Sequence, residues 1–469
     1  MATVNENVPR SSMAAVIFSS TLGTAIEWYD FFLYGTMATL VFPTIFFPES
    51  DKLVGTLLSL FTFLVGFIAR PFGGAIFGHL GDRIGRKSTL IATLLLMGIA
   101  TLLIGFLPGY GAIGIAAPLI LVLLRLCQGL GVGGEWGGSV LLAMEYGHKR
   151  NRGFWASWPQ IGVPVGLICS TLVVNLIQQT AGTGFVTGFA WRVPFFLSAL
   201  LIIVGLYVRL RIMETPLFAM LKERGHEASA PLAAAFRHST PEILLSAGAR
   251  FVEQAPFYLF VTFVITYGVT KLSISRTLIL NAITIAAVIE LFTIPLFSYL
   301  SDRLNNRRGW YLIGCVIMAA FAFPYFMLMN SGSNALFVLA VIISLAVCHA
   351  WVYGPQAALI AERFGTRSRY SGASLGYQLA SPFAGGLAPI IALVLLNGKT
   401  SLSALGLGSV VVNVGNGSWQ AVSIYMLVLA VISFASVLGL KELSRADISS
   451  VDAYKIAEPE ATPAVSSTD

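Results

Sequence analysis

Glu27 and Asp30 stand three residues apart inside an apolar stretch, so a helix presents both carboxylates on one face. Buried acids of this kind can exchange protons, because burial favours the neutral acid and a neighbouring cation favours the anion. Arg125 lies in a second apolar stretch. At 1.5 Å per residue, the two acids fall roughly 20–27 Å from one end of their helix and Arg125 at about 30 Å depth in its own. An Asp30–Arg125 pair is therefore the leading contact expected. An anion drawn to Arg125 would ease protonation of Asp30 and so couple the two events; the alternative is a permanent salt bridge that only tightens packing. Glu27 reads equally as the proton site or as a hydrogen-bonded structural residue. His349, which titrates near neutral pH, reads as a proton relay or as a packing residue.

Arg70, Glu135, Arg250, Glu253 and Glu290 are expected at roughly 10–18 Å from the same end. Arg70 or Arg250 can clamp a carboxylate through paired guanidinium donors. Alternatively, Arg250 pairs with Glu253 or Glu290, and Arg70 with Glu135, as a gate that touches no ligand. Tyr29, Tyr34, Trp136, Trp158, Gln160, Tyr258, Tyr377 and Gln378 are cavity candidates, about half of which should be plain packing. Arg192, beside Trp191, is expected to snorkel to an interface. Gly129, Gly131, Gly133, Gly134, Gly137 and Gly138 allow close helix approach and are not a phosphate loop, since no strand precedes them.

Placing charges this deep demands membrane helices. Of 469 residues, 56% are hydrophobic and 11% charged, against about 25% charged in soluble domains. Apolar runs long enough to cross a bilayer recur along the chain, which reads as an all-α polytopic membrane protein. The net charge of +7 resides in short loops, so it argues for membrane orientation and not for nucleic acid. Cys127, Cys169, Cys315 and Cys348 lack ligand spacing and imply no metal, disulfide or cofactor. The first apolar stretch is too long for a signal-peptide core and is expected to remain in the mature protein.

Twelve helices are expected, centred near residues 28, 66, 97, 130, 165, 202, 256, 288, 320, 347, 383 and 430. One set of loops carries Arg83, Arg86 and Lys87; Lys149, Arg150 and Arg152; Arg209, Arg211, Lys222, Arg224 and Arg237; Arg303, Arg307 and Arg308; and Arg363, Arg367 and Arg369. The opposite set has only Lys52, Lys271, Arg276 and Lys399, which places both termini and the middle loop in the cytoplasm. The expected organisation is a tail over 1–12, a six-helix bundle over 13–210, a middle loop over 211–242 with Pro216, Pro231 and Pro241, a second bundle over 243–440, and a disordered tail over 441–469. A repeat supports the division: Glu145, Arg152, Ala156 and Ser157 recur 217 positions later as Glu362, Arg369, Ala373 and Ser374, while Asp82 and Arg83 recur 220 positions later as Asp302 and Arg303. Parallel repeats about an axis along the membrane normal follow.

GHLGDRIGRK at 78–87 resembles the loop signature of the major facilitator superfamily, and SYLSDRLNNRR at 298–308 is its weaker copy, with Asn305 in place of Gly85. GTAIEWYDFFLYG at 23–35, RPFGG at 70–74 and RLCQGLGVGGEWGG at 125–138 resemble that superfamily's metabolite:proton symporter family. WRVPF at 191–195, Glu-Thr-Pro at 214–216 and RYSGASLGYQLAS at 369–381 extend the similarity from about Ala14 to Leu443. Arg250, Glu253 and His349 look like the shikimate permease, and GFLPGYGAIGIAAPL at 105–119 like related orphan permeases. The tail lacks the coiled coil of the proline/betaine branch.

The resemblance implies a major facilitator fold and a carrier, not an enzyme, working as a monomer on protons and a small-molecule substrate in the inner membrane. It also implies that Asp82, Arg83, Arg86 and Lys87, with Asp302 and Arg303 in the second copy, form a cytoplasmic latch. Uptake of an organic acid such as shikimate or a keto or dicarboxylic acid is the first functional expectation, with rocking of two bundles around a midplane site. A drug exporter of the same superfamily is the second; its helix 5 signature is matched only loosely by QIGVPVG at 160–166. A transporter-like nutrient sensor is the third, and it would normally carry longer signalling extensions.

Overall fold

Inside a bilayer every backbone N–H and C=O needs a partner within the chain, so apolar runs of this length must be helical. The structure, a computed structural model, describes residues 12–48, 52–182, 184–215, 218, 231–366, 368–401, 411–413 and 417–446. The first eleven residues, much of the middle loop, including Pro216, Lys222 and Arg224, and the tail beyond Ala446 lie outside the described residues.

Twelve long helices build the molecule: α1 Met13–Leu40, α2 Lys52–Arg83, α3 Arg86–Phe106, α4 Ala116–Tyr146, α5 Arg152–Ala181 and α6 Val193–Leu210 in the first half. The second half has α7 Ala235–Thr270, α8 Arg276–Leu304, α9 Arg307–Met329, α10 Asn334–Ala361, α11 Arg369–Asn397 and α12 Trp419–Gly439. Eleven of these pass for membrane spans on length and apolarity. The other, α1, has 28 residues and is ~42 Å long, with Glu27 and Asp30 buried against its neighbours. Side chains such as Phe72, Leu176, Ile203 and Phe292 are more than half exposed, as a lipid-facing belt requires.

The region around 231–242 is a correction to the expected loop. Pro231–Ala249 is helical except at Ser239, where the backbone leaves helical geometry. Pro241 therefore stands in the first turn after that break, where a missing N–H costs nothing. Between α11 and α12 a short antiparallel ladder pairs Lys399–Ser401 with Val411–Asn413, which the sequence reading did not anticipate.

Within the first half, α2 and α4 meet backbone to backbone. A Cβ on Gly129 would lie 2.2 Å from the Gly66 carbonyl oxygen, and one on Gly133 2.2 Å from that of Arg70. The glycine run thus permits the contact that carries Arg70 and Arg125 into the interior. The halves meet through α5 against α8 and α10, and through α11 against α2 and α4. Those helices close the arginine-rich end. The second half differs in texture: π-helical turns interrupt α7 at Leu259–Phe263, α10 at Ile343–His349 and α11 at Ser381–Gly386. Wide turns of this kind concentrate at functional sites.

Candidate functional site

The arginine-rich end is closed by two copies of one device. Asp82, at the end of α2, accepts from the Tyr370 N–H at 3.2 Å and from the Ser371 N–H and hydroxyl at 2.8 and 2.9 Å, at the start of α11. Asp302, at the end of α8, accepts from the Gly153 and Phe154 N–H groups at 3.1 and 2.8 Å, at the start of α5. Each carboxylate caps a helix of the other half, where free N–H groups and the helix dipole favour a negative charge. Behind Asp82, Arg86 pairs with Asp82 at 3.4 Å and with Glu145 at 3.9 Å, and Arg369 reaches Glu145 at 3.5 Å. Behind Asp302, Arg307 pairs with both Asp302 and Glu362, and Arg152 reaches Glu362 at 3.3 Å.

Three of the expected latch residues are not in these networks. Arg83 is exposed, and Arg303 turns back to its own helix, donating to the Tyr299 hydroxyl at 2.6 Å. Both directly follow their aspartate and so point about 100° away around the helix. Lys87 is also outside, donating to the Leu210 carbonyl at 3.0 Å. Arg307, Glu145, Glu362, Arg152 and Arg369 take part although the sequence reading used them only for topology and the repeat. That repeat was the available signal, since charged residues at matching positions of both halves invite a shared role.

At mid-depth in the first half, the expected Asp30–Arg125 contact is absent. The Ser198 hydroxyl of α6 donates to Asp30 at 2.5 Å, and Thr101 stands beside it. Arg125 donates to Gln128 Oε1 at 3.0 Å, and Gln128 donates to Thr101 Oγ1 at 2.7 Å. Acid and guanidinium are thus linked by two polar side chains and do not touch. Depth along a helix was correctly read, but azimuth was not, and Arg125 turns toward Gly66 of α2.

The expected Arg70–Glu135 pair is also absent. Glu135 is held by Arg209, Ser139 and Thr93. Arg209, expected in a loop, is 3% exposed and reaches back into the bundle from the last turn of α6. Glu27 is buried near this group, with Oε2 unpartnered among the described residues.

Neither Arg70 nor Arg125 forms an ion pair with a carboxylate among the described residues, although Glu27 is near enough to Arg70 for the two charges to act on each other. Each arginine is 1% exposed, and Nε and Nη2 of both have no hydrogen-bond partner among the described residues. Their guanidiniums lie 4.5 and 4.8 Å from the centroid of one ring, Phe31. Arg125 is also over Tyr34 at 4.1 Å and Arg70 over Phe67 at 4.6 Å. Tyr34 donates to Thr62 at 2.7 Å, and Tyr258 of α7 packs on Phe67 with its hydroxyl unpartnered among the described residues. Cation–π contact offsets part of the cost of burying these charges, but buried cations normally require a counter-ion.

In the second half the charges satisfy one another. Arg250 and Glu253 are 3.2 Å apart, as one of the two readings expected, Glu253 is 3.4 Å from His349 Nε2, and Nδ1 of that ring is bonded to Glu290. Arg250 also donates to the Tyr377 carbonyl at 2.6 Å and to Ser381 Oγ at 3.0 Å. Tyr377 stacks on Trp136 of α4 at 3.5 Å between centroids, and the Trp136 N–H donates to Gln160 at 2.9 Å. Gln378 donates to the Val132 carbonyl at 3.4 Å. Trp136, Gln160, Tyr377 and Gln378 therefore join the halves. Tyr29 donates to the Pro194 carbonyl and ties α1 to α6, away from this seam. Trp158 is half-buried on α5, and Arg192 donates to the carbonyls of Gly105 and Leu107 while lying over Trp191.

Comparison with known proteins places this geometry. The family described as sugar (and other) transporter matches residues 15–243, and that described as major facilitator superfamily matches residues 247–455. The inner membrane metabolite transport protein YhjE of Escherichia coli K12 is 38% identical over 86% of this chain and 92% of its own. The shikimate transporter of the same organism is 37% identical over 94% and 97%. The chain belongs to the major facilitator superfamily, in the branch of these metabolite transporters. The proton:xylose symporter XylE has the same fold, with a TM-score of 0.70 over 94% of this chain and 98% of its own at 16% identity. This facilitator is accordingly a multi-pass membrane transporter and not an enzyme, and its paired networks join the two bundles of the fold.

Proposed function

We propose that the protein is a proton-driven symporter that brings a small organic carboxylate into the cell by alternating access. The observation that carries this reading is the pair of buried guanidiniums, Arg70 and Arg125, which share the Phe31 ring and lack a carboxylate partner among the described residues. A carboxylate supplies the missing charge, and guanidinium N–H groups match it two at a time. Phe31, Tyr34 and Tyr258 then supply the apolar walls and polar edges of the site. One relative is named a shikimate transporter, which agrees with an acid as cargo.

The excess of Lys and Arg in one set of loops supports a cytoplasmic position for both termini and the arginine-rich end. With that end joined through Asp82 and Asp302, the conformation described here is closed to the cytoplasm. Release inward requires both caps to part. The test is uptake into proteoliposomes of a panel of labelled carboxylates, betaines and sugars, with and without an imposed pH gradient. Accumulation of a carboxylate that requires the gradient is the expected result. Uptake restricted to uncharged or zwitterionic solutes, or indifferent to the gradient, would refute the reading.

A further inference from the structure

The second half contains a charge chain that the carboxylate site does not use. It runs from Arg250 and Glu253 of α7 through His349 of α10 to Glu290 of α8, and every member is 3% exposed or less. His349 closes the π-helical turn Ile343–His349, which places its ring between two carboxylates on different helices. A cavity of about 10 Å³, room for about one water, lies against it. Arg250, Glu253, Tyr258 and Tyr353 line that cavity from the second half; Trp28 and Val163 line it from the first.

One arginine and two glutamates carry a net charge of minus one. Buried clusters are driven toward neutrality, because an uncompensated ion loses its hydration. One proton makes the balance, whether it rides on His349 or on either glutamate. The other polar groups around it are weak acids that stay neutral: Tyr353 stacks on the ring at 4.8 Å, Tyr258 and Tyr377 stand beside Arg250, and Tyr311 of α9 donates to the Ala249 carbonyl. The first half presents Trp28 and Val163 to the cavity; across the seam Arg70 faces Arg250, and the Glu27 carboxylate near Arg70 offsets that charge, so the balance of the cluster is its own.

We propose that the coupling proton is bound by Glu253, His349 and Glu290, and that Arg250 reports its presence to the carboxylate site. This rests on the symport reading above. With the proton bound, His349 as a cation satisfies both glutamates and competes with Arg250 for Glu253. The guanidinium is then freer to face an anion beside Arg70. With the proton gone, Glu253 holds Arg250 and the cluster keeps an unneutralised charge. Proton and anion therefore favour each other, and by linkage the effect is reciprocal. Arg250 contacts Tyr377, which stacks on Trp136 of the first half, so the same occupancy bears on the seam between the bundles.

The experiment has a substrate-free arm and a transport arm. Infrared difference spectra of the full chain in lipid, between acid and alkaline pH, should contain an imidazole and buried-carboxyl signal that disappears in H349Q and in E290Q. Persistence of the whole signal in both variants would overturn the proposal whatever the cargo. In proteoliposomes loaded with shikimate as probe, both variants should keep counterflow exchange, which also shows that they are folded, and lose all accumulation driven by a pH gradient. Normal accumulation by both variants, or loss confined to D30N, would overturn the proposal while leaving symport intact. A parent protein that exchanges shikimate yet ignores the gradient would overturn the symport reading, and this role of His349 with it.

Discussion

At the arginine-rich end the two halves of the molecule do the same thing; at mid-depth they do not. Asp82 and Asp302 cap α11 and α5 through the same pair of backbone N–H groups, and each is backed by an arginine and a glutamate at matching positions. Deeper in, Arg70 and Arg125 of the first half form no ion pair among the described residues, while the second half closes Arg250, Glu253, His349 and Glu290 on one another. Closing one end of the carrier needs the same contact twice. On the proposed reading, holding an anion and holding a proton are different tasks, and there the repeat has diverged.

The largest effect should come from the unpartnered guanidiniums. Arg125→Gln and Arg70→Gln each remove a charge-assisted contact of about 1.5–3 kcal/mol, so carboxylate Kd should rise roughly 10- to 150-fold. Arg250→Gln should act differently, because it leaves Glu253 buried without its cation and so loosens packing as well as coupling. Binding of labelled shikimate to purified protein in nanodiscs separates the two. Equal loss of affinity in all three variants, with equal melting temperatures, would erase the distinction between the halves at mid-depth.

The next effects test the symmetry itself. Asp82→Asn and Asp302→Asn each weaken a cap across the seam by about 1–2 kcal/mol and should tilt the carrier toward the form open at its arginine-rich end to the same extent. Transport should fall while binding persists, with cross-linking of cysteines placed on α2 and α11 or on α5 and α8 as the readout. An effect from one aspartate alone would break the equivalence. Gly85 and Asn305 sharpen it: each stands three residues after its loop aspartate, with φ +114° at Gly85 and +51° at Asn305. Gly85→Ala enters a region open essentially to glycine alone, at about 1–3 kcal/mol, and its Cβ would lie 2.2 Å from Glu214 Oε2. Asn305→Gly should be nearly neutral, because asparagine already tolerates the left-handed region it occupies. Thermal unfolding of both variants in detergent decides this.

What was legible in the sequence follows from what a linear pattern encodes. Hydropathy and loop charge give spans because the bilayer imposes one length on every helix, and α1 through α12 lie where the twelve apolar runs are. Depth also transfers, since rise per residue is constant; Asp30 and Arg125 are joined through Thr101 and Gln128 at a common level. Azimuth does not transfer, because it depends on neighbours. Arg125 turns to Gly66, and Glu135 finds Arg209, an arginine that topology alone assigns to a loop. The gate was half legible: the aspartates were found by their motif, but their glutamate partners had appeared only as markers of the repeat. Counting charges at matching positions of both halves would have found Glu145 and Glu362.

The smallest expected effect concerns the segments that follow α6 and α12, which extend the symmetry beyond the membrane. Glu214 accepts from the Arg86 and Lys87 N–H groups at 3.1 and 3.2 Å, and Glu442 accepts from the Arg308 N–H at 2.7 Å, so each caps the third helix of its own half. The second segment then crosses the seam, because Arg152 of α5 donates to the Ser444 carbonyl at 2.8 Å. Partial burial works to raise the Glu442 carboxyl, but the Arg308 N–H and the Ser444 contacts outweigh it and hold the group below its usual range. A depressed acid contributes stability that is complete above its unfolded value, 4.5, and is lost as pH falls through the folded one. The protection of amides at residues 441–446, taken relative to their intrinsic exchange rate at each pH, should therefore be high and constant above that range and should fall only below it. Glu442→Gln should lower protection above that range to the parent's low-pH level and so abolish the dependence, with transport slowed only modestly. Loss of pH dependence in Glu214→Gln, with Glu442→Gln behaving as the parent, would instead assign the pH-sensitive cap to the first half.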